Sequence, residues 1–272
     1  MDSECDPEDI LSSSLETLYE YQPITHSSAG SLFTFHPKHS PPTSPTPTIS
    51  LITPDTDAAN WKLHASSIWV SALFLADHLA ELHLGDGLEL NVLELGAGAG
   101  LPGILIAKLY HNVRVTLSDY PDQKLMRTLS DNVKRNDVVN RCRVVPYDWG
   151  SDPSPLLPPY PLKSTPGFDV ILAADTLWNP ELHSRFIDTL RLTLKRTTSA
   201  RAHLIAGLHT GRYTIQAFLR EMGETKLFVE SVVEREVSGE GRREWCVERA
   251  ESEDERERRR WVVWMTIKWK SV

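Results

Sequence analysis

Three glycines alternate at positions 96, 98 and 100 in the stretch NVLELGAGAGLPG, and a carboxylate, Glu94, stands just ahead of them. Residues of these types at this spacing hold a ligand with backbone. Gly96 lets the chain leave a strand sharply, and Gly98 lets the backbone approach a ligand that any side chain would block. Gly100 and Gly103 allow the following helix to sit close to the sheet. Such a turn carries NAD, a nucleotide phosphate, S-adenosylmethionine, or nothing. Leu101 stands where the NAD fingerprint places its third glycine, which argues against NAD. Glu94, inside the strand, costs desolvation unless it finds a cationic or donor partner. One strand later, in TLSDYPD, Asp119 occupies the place where nucleotide-binding α/β folds put an acid to accept two ribose hydroxyls. Alone it could cap the helix beginning near Pro121; after a glycine turn, the ribose reading is the better one.

Positioning these groups requires a sheet. The runs LNVLEL, VRVTLS, RCRVVPY, FDVILAAD and RAHLIAGL have the length and apolar content of strands. The helical patterns GILIAKLY, QKLMRTLSDNVKRN, ELHSRFIDTLRLTL and RYTIQAFLREM separate most of them. This alternation predicts an α/β fold, a mostly parallel sheet with helices on both faces. Ahead of it, Ile68, Ala72, Leu75, Ala76 and Leu79 fall at helical spacing and predict a helix over 66–84, ending at Gly85. At the far end, TKLFVESVVEREV and RRRWVVWMTIKWK read as an antiparallel hairpin. The mixed Glu/Arg run between them, 238–260, reads as its solvated tip. Residues 1–60 read as an arm and not a domain. HPKHSPPTSPTPTIS within it is too rich in Pro, Ser and Thr for a helix or a core, with SLFTFH and TISLIT as two short strands around a flexible loop. The second unit is then 61–272.

Composition narrows the function. A formal net charge of −8 over 272 residues argues against a nucleic-acid or anionic-membrane binder, and suits a basic partner. Cys5, Cys142 and Cys246 are far apart, without a CxxC or a histidine pair, so neither a zinc module nor a disulfide framework is expected and no metal site is assigned. MDSECDPEDI is acidic, unlike a targeting segment, and no apolar run approaches the roughly 20 residues that span a bilayer. The expectation is a cytoplasmic monomer.

In order, VLELGAGAGLPG, SDYPD, YDWG and FDVILAADTLWN resemble the seven-β-strand S-adenosylmethionine-dependent methyltransferases of family 16. GLHTGR and RRRWVVWMTIKW resemble its fungal branch. Members of that branch are labelled nicotinamide N-methyltransferase-like, or methyltransferases of the N-terminal glycine and adjacent lysine of elongation factor 1-alpha. The resemblance covers roughly residues 61–272. It implies a Rossmann-like seven-stranded sheet closed by the antiparallel hairpin, with S-adenosylmethionine as cofactor. By the same resemblance Gly96, Ala97 and Gly98 line the methionine part, Asp119 holds the ribose, Trp149 borders the adenine and Asp148 faces its amino group. Trp69, in the helix before the first strand, faces the cofactor, although Val70 departs from the small polar or acidic residue usual after it. Ala174 touches the cofactor from the fourth strand's end.

Methyl transfer from a sulfonium is an in-line displacement that asks the enzyme mainly to position and desolvate. The nucleophile must be neutral. At pH 7 that costs about 1.4 kcal/mol for an α-amine and roughly 4.6 kcal/mol for lysine. Related protein methyltransferases carry an acid followed three residues later by an aromatic where substrate arrives. Asp175 and Trp178 keep that spacing, with Trp178 replacing the usual tyrosine or phenylalanine, and are implied to hold the amine by charge and cation–π contact. Alternatively Asp175 caps the helix starting around Pro180 and Trp178 packs. His209 and Thr210 read as a helix N-cap. Three functions remain open: a protein N-methyltransferase acting on elongation factor 1-alpha, a methyltransferase of a pyridine such as nicotinamide, and a non-catalytic module that has kept the fold.

Overall fold

Val-, Ile- and Leu-rich runs bounded by glycine, proline and charge become the strands of the computed structural model, which describes residues 22–38, 47–85, 89–158 and 165–271. The acidic N-terminal stretch with Cys5, and residues 39–46 of the Pro/Ser/Thr run, lie outside the described residues. In chain order the strands are β1 (Thr25–His26), β2 (Leu32–Phe35), β3 (Ile49–Ile52), β4 (Ile68–Trp69), β5 (Leu90–Leu95), β6 (Val113–Asp119), β7 (Cys142–Pro146), β8 (Val170–Ala174), β9 (Arg201–Gly207), β10 (Leu227–Glu236), β11 (Arg242–Glu244) and β12 (Trp261–Trp269). The α-helices are α1 (Val70–Asp77), α2 (Leu101–Leu109), α3 (Gln123–Arg135), α4 (His183–Thr193), α5 (Arg212–Gly223) and α6 (Glu255–Arg259).

The central sheet runs β11-β10-β12-β9-β8-β5-β6-β7. Its five strands β5 to β9 pair in parallel, and β12, β10 and β11 continue it antiparallel. The expected mixed sheet is present, with β11 added as a short eighth strand at the edge. Period-two alternation divides the core between its faces. Val92 of β5 shares one core with residues of α1, α2 and α3, whereas Leu93 and Leu95 share the other with residues of α4 and α5. From β5 the chain moves outward to β6 and β7, then returns to β8 on the opposite side of β5. That reversal opens a crevice beyond the carboxyl ends of β5 and β8, where ligands of open α/β sheets bind.

Three expectations change in the structure. The helix expected over 66–84 begins only at Val70 and stops at Asp77, resuming as a 3-10 turn at Leu79–Leu82. Trp69 precedes it in extended conformation and pairs with Thr25, so it stands at the helix N-terminus and not within the helix. At the break stands His78, the C-cap, whose ring stacks on Phe74 and bonds its carbonyl oxygen at 2.7 Å.

The arm reading also needs revision in part. Strands β2 and β3 form a hairpin as expected, but Phe35, Ile49 and Leu51 are buried in the main core. Two asparagines, Asn132 in the last turn of α3 and Asn136 at its C-cap, hold β3. Asn132 Oδ1 accepts from Ile52 N at 2.8 Å and its Nδ2 donates to Ile52 O at 2.8 Å. Asn136 does the same with Ser50, at 3.1 and 2.8 Å. Three buried side chains and four hydrogen bonds are enough to fix a hairpin that the neighbouring Pro/Ser/Thr composition obscures.

The 238–260 segment is not a solvated tip. It folds back as β11, a 3-10 turn at Val247–Glu251 and α6. There Arg212 meets Glu234 at 2.7 Å and Glu253 at 2.7 Å, and Arg243 bridges Glu234, Glu253 and Glu257. The Arg212 and Glu234 side chains are fully buried. Arg243 also lies 3.8 Å above the Trp261 ring. Alternating charge reads as solvated only while its partners are unknown; here the partners lie on α5 and β10.

Candidate functional site

Strand β5 ends in the glycine turn, and the turn becomes the N-terminus of α2. A Cβ on Gly103 would lie 2.3 Å from Leu117 Cδ2 and 2.6 Å from Glu94 Oε2, so only glycine lets helix and sheet approach this closely. The gap is used by Glu94, whose Oε2 accepts from Gly103 N at 2.9 Å. The donor partner that a buried carboxylate needs is therefore a helix N-terminus. Burial, opposed by that hydrogen bond and reinforced by the charge of Asp119, pushes the Glu94 carboxyl up to about 8. Gly98, at φ +53, has nothing within 4 Å of its Cβ position. Its bare backbone faces open space, as a close-approach position should.

Asp119 closes β6 beside this turn. Its Oδ2 accepts from Gly98 N and its Oδ1 from Tyr120 N, each at 2.7 Å. Burial pushes its carboxyl up to about 6. It is not the cap of the next helix: that is Asp122, whose Oδ1 accepts from Lys124 N and Leu125 N. Asp122 Oδ2 also accepts from Asp57 N at 3.1 Å and Asn60 Nδ2 at 2.7 Å. It thereby fastens the turn Ala58–Leu63 beside the crevice.

One cavity of 330 Å³ joins these parts. Its walls include Glu94, Gly96, Ala97, Gly98 and Asp119 on one side, Asp148 and Trp149 after β7, and Trp69 from the N-terminus of α1. Ala174, Asp175 and Trp178 complete it at the end of β8. The cofactor- and substrate-site residues expected from the sequence thus line one cavity, whereas Gly100, Gly103, His209 and Thr210 are not among its walls. Trp149 meets Phe186 edge-on at 4.7 Å, which leaves it half-buried beside the turn.

Asp175 is the most constrained of them. It is buried and holds φ at +54, a left-handed conformation uncommon outside glycine. Its Oδ1 accepts from Gly207 N at 2.6 Å and its Oδ2 from Ser71 N at 3.3 Å, so it ties β8 to β9 and to the N-terminus of α1. It does not cap the turn at Pro180; Asn179 does, accepting from Glu181 N. Trp178 meets His64 edge-on at 4.9 Å, and His64 meets Trp69 edge-on at 6.2 Å.

Two contributors were missed or misread in the sequence. His64 follows the 3-10 turn in left-handed conformation and lines the cavity; a lone histidine in a coil carried no signal. His209 and Thr210 do not cap α5, whose N-cap is Gly211 without a side-chain bond. The His209 ring instead stacks on Trp69 at 5.0 Å, with Nε2 3.8 Å from Asp175 Oδ1. The signal available was Gly207, where a Cβ would lie 2.4 Å from the His209 ring. Among the described residues no cluster of His, Cys, Asp and Glu could hold a metal, and no helix is long and apolar enough to cross a membrane.

Residues 56–225 match the family model described as lysine methyltransferase. A Neurospora crassa protein named protein N-terminal and lysine N-methyltransferase efm7 is 28% identical over 65% of this chain and 67% of its own length. Its Emericella nidulans namesake is 32% identical over 53% of this chain and 58% of its own length. The match therefore spans from little more than half to about two thirds of these relatives. Among solved structures, the [4+2]-cyclase SpnF superposes with a TM-score of 0.50 at 14% identity, over 73% of this chain and 80% of that one. That likeness concerns the fold alone.

Proposed function

The chain belongs to the lysine methyltransferase family, and on that premise we propose that it transfers a methyl group from S-adenosylmethionine to a nitrogen of a protein. The target is the N-terminal amine, the adjacent lysine, or both, in elongation factor 1-alpha. The names of its relatives support the N-terminal and lysine part of this reading. We take 61–272 as the transferase domain and 1–60 as an arm whose second half is fastened to it, the whole acting as a cytoplasmic monomer.

The observation that carries the reading is the single cavity at the sheet's switch point, with a nucleotide-type half and an amine-type half. In the first half the residues fit the cofactor. Gly98 offers bare backbone facing open space, and Asp119 presents a carboxylate beside it. Gly96, Ala97 and Gly98 would hold the methionine part, Asp119 the ribose, and Trp149 and Asp148 the adenine. Trp69 and Ala174 would border the reacting end. When bound, the cofactor supplies an electrophilic methyl group on a sulfonium, whose leaving sulfur needs no proton. In the second half, Asp175 supplies charge, and Trp178 supplies a ring face for a cationic amine. Glu94, neutral over most of the range below pH 8, secures the turn without adding a full charge near Asp119. The work left to the chain is to orient the amine, exclude water and remove a proton.

Incubating the protein with methyl-labelled S-adenosylmethionine in cell lysate, with and without nicotinamide, tests this. Label in one protein band is the expected result. Label in a small soluble product would replace it with the pyridine reading, and no label at all would favour the non-catalytic module.

A further inference from the structure

Four of the six buried side-chain atoms without a hydrogen-bond partner among the described residues belong to Asp175's chain neighbour, to two residues that touch Asp175, and to the residue after His209. They are Ser71 Oγ, Thr176 Oγ1, His209 Nδ1 and Thr210 Oγ1. Ser71 donates its backbone N–H to Asp175, Thr176 follows it in the chain, and His209 places Nε2 3.8 Å from its Oδ1. Buried polar atoms are nearly always paired, so a concentration of unpaired ones marks a place where protons or polar groups are exchanged. His209 is held there deliberately. Gly207 lacks the Cβ that would displace its ring, and Trp69, a wall of the cavity, stacks on it.

Methylation of an amine by a sulfonium releases one proton, which the site must pass on. An amine arrives mainly as R–NH3+ and must lose one proton before its lone pair is available. We propose that Asp175 and His209 together form the outlet for that proton, with Asp175 facing the amine and His209 a positioning residue acting through it. This rests on the amine-methylation reading above. The ammonium gives a proton to the Asp175 carboxylate, and His209 takes it over at Nε2. The freed nitrogen lone pair then forms the bond to the methyl carbon, and the carbon–sulfur bond breaks with its electrons remaining on sulfur. His209 then returns the proton to solvent, so each transfer releases one proton. Imidazole suits this role because one ring nitrogen can accept a proton while the other carries one. The gap of roughly 1 Å beyond hydrogen-bond length is one that catalytic contacts close when substrate binds.

The charged groups near His209 are few. Asp175 faces it from β8, and His64 stands beyond Trp69. Arg212, at the start of α5, is turned away to Glu234 and Glu253. Helix α6 packs on the Leu208–Thr210 turn. There Glu257 is paired with Arg243 and Arg260, and Glu255 with Arg259; Arg256 and Arg258 complete its charges.

The test uses the full chain and a synthetic peptide with a free N-terminal glycine followed by lysine. His209→Phe keeps a ring on Trp69 but cannot carry a proton; His209→Gln is the second variant. Each should lower kcat about 10- to 100-fold at pH 7, with KM within about threefold. The loss should shrink to within about threefold at pH 9.5, where an α-amine of pKa near 8 is already neutral. S-adenosylhomocysteine affinity should stay at the wild-type value. Nitrogen-15 histidine spectra give a readout apart from turnover. With S-adenosylhomocysteine bound, the free-amine peptide should shift the His209 signal toward the protonated form, and the N-acetylated peptide should not. An equal loss at both pH values, undiminished activity in His209→Phe at pH 7, or a His209 signal indifferent to the free amine would each overturn the proposal. Failure of the wild type to methylate the peptide at either pH would overturn the amine reading, and this proposal with it.

Discussion

Replacing Glu94 with glutamine should make the protein more stable, and increasingly so as pH rises. Glu94 is buried, and its carboxyl is pushed from 4.5 up to about 8. An acid whose folded value exceeds its unfolded one folds by taking up a proton. Its cost is absent below the unfolded value, grows by about 1.4 kcal/mol per pH unit between the two, and is complete above the folded one. From 4.5 to about 8 that amounts to roughly 5 kcal/mol, of which about 3 kcal/mol has accumulated at pH 7. Glutamine avoids the whole cost because it never ionises, and its Oε1 can still accept from Gly103 N, the bond that Glu94 makes at 2.9 Å. Urea unfolding of the cofactor-free protein and the Glu94→Gln variant at pH 5, 6, 7, 8 and 9, at fixed ionic strength, measures the difference directly. The two stability curves should nearly coincide at pH 5, diverge through neutrality and run parallel above pH 8. Curves parallel over the whole range would refute the argument, since Glu94 would then fold with its ordinary proton affinity.

Asp119 should impose its own pH limit on cofactor binding: protonation below about pH 6 removes a charged acceptor. S-adenosylhomocysteine affinity, by calorimetry, should fall between pH 7.5 and 5 in the wild type but stay flat in Asp119→Asn, which should bind about 1–3 kcal/mol more weakly at pH 7.5. Arg212→Met leaves Glu234 and Glu253 buried beside a neutral side chain, so urea unfolding should register a loss of about 3–5 kcal/mol; a loss under 1 kcal/mol would mean the network is dispensable. Truncation through residue 60 removes Phe35, Ile49 and Leu51, each worth roughly 1.5–3 kcal/mol when buried. It should lower the unfolding midpoint well below that of a truncation through residue 21, and equal midpoints would restore the picture of a loose arm.

The fold was legible because its signals are local and repeated. Apolar runs such as LNVLEL and FDVILAAD, set between amphipathic helices, leave little choice but a parallel sheet, and the glycine turn with Asp119 one strand later locates the crevice. What escaped depends on partners distant in the chain. Asn132 and Asn136 look like ordinary polar positions on a helix until β3, some 80 residues away, is laid beside them. Arg212 looks like the start of a surface helix until Glu234 and Glu253 enclose it. His209 has Thr210 and Gly211 as chain neighbours, a context that suggests a cap, whereas its contacts are with Trp69 and Asp175. Helix length differs because apolar spacing continues past His78 to Leu79, whereas the α-helix ends at Asp77 and gives way to a 3-10 turn.

The asparagine pair at the C-terminal end of α3 has a consequence for the life of this protein among many copies of itself. A two-stranded hairpin exposes two rows of backbone donors and acceptors, and an open row is a template for another chain to add a strand. One row of β3 is taken by β2. On the other, the side-chain amides of Asn132 and Asn136 imitate a neighbouring strand, offering an acceptor and a donor to Ser50 and Ile52 alike. A helix thereby closes an edge that a helix backbone has no free groups to close. Aspartates at these two positions could still accept but not donate, leaving the Ser50 and Ile52 carbonyls open to recruit a neighbour at high concentration.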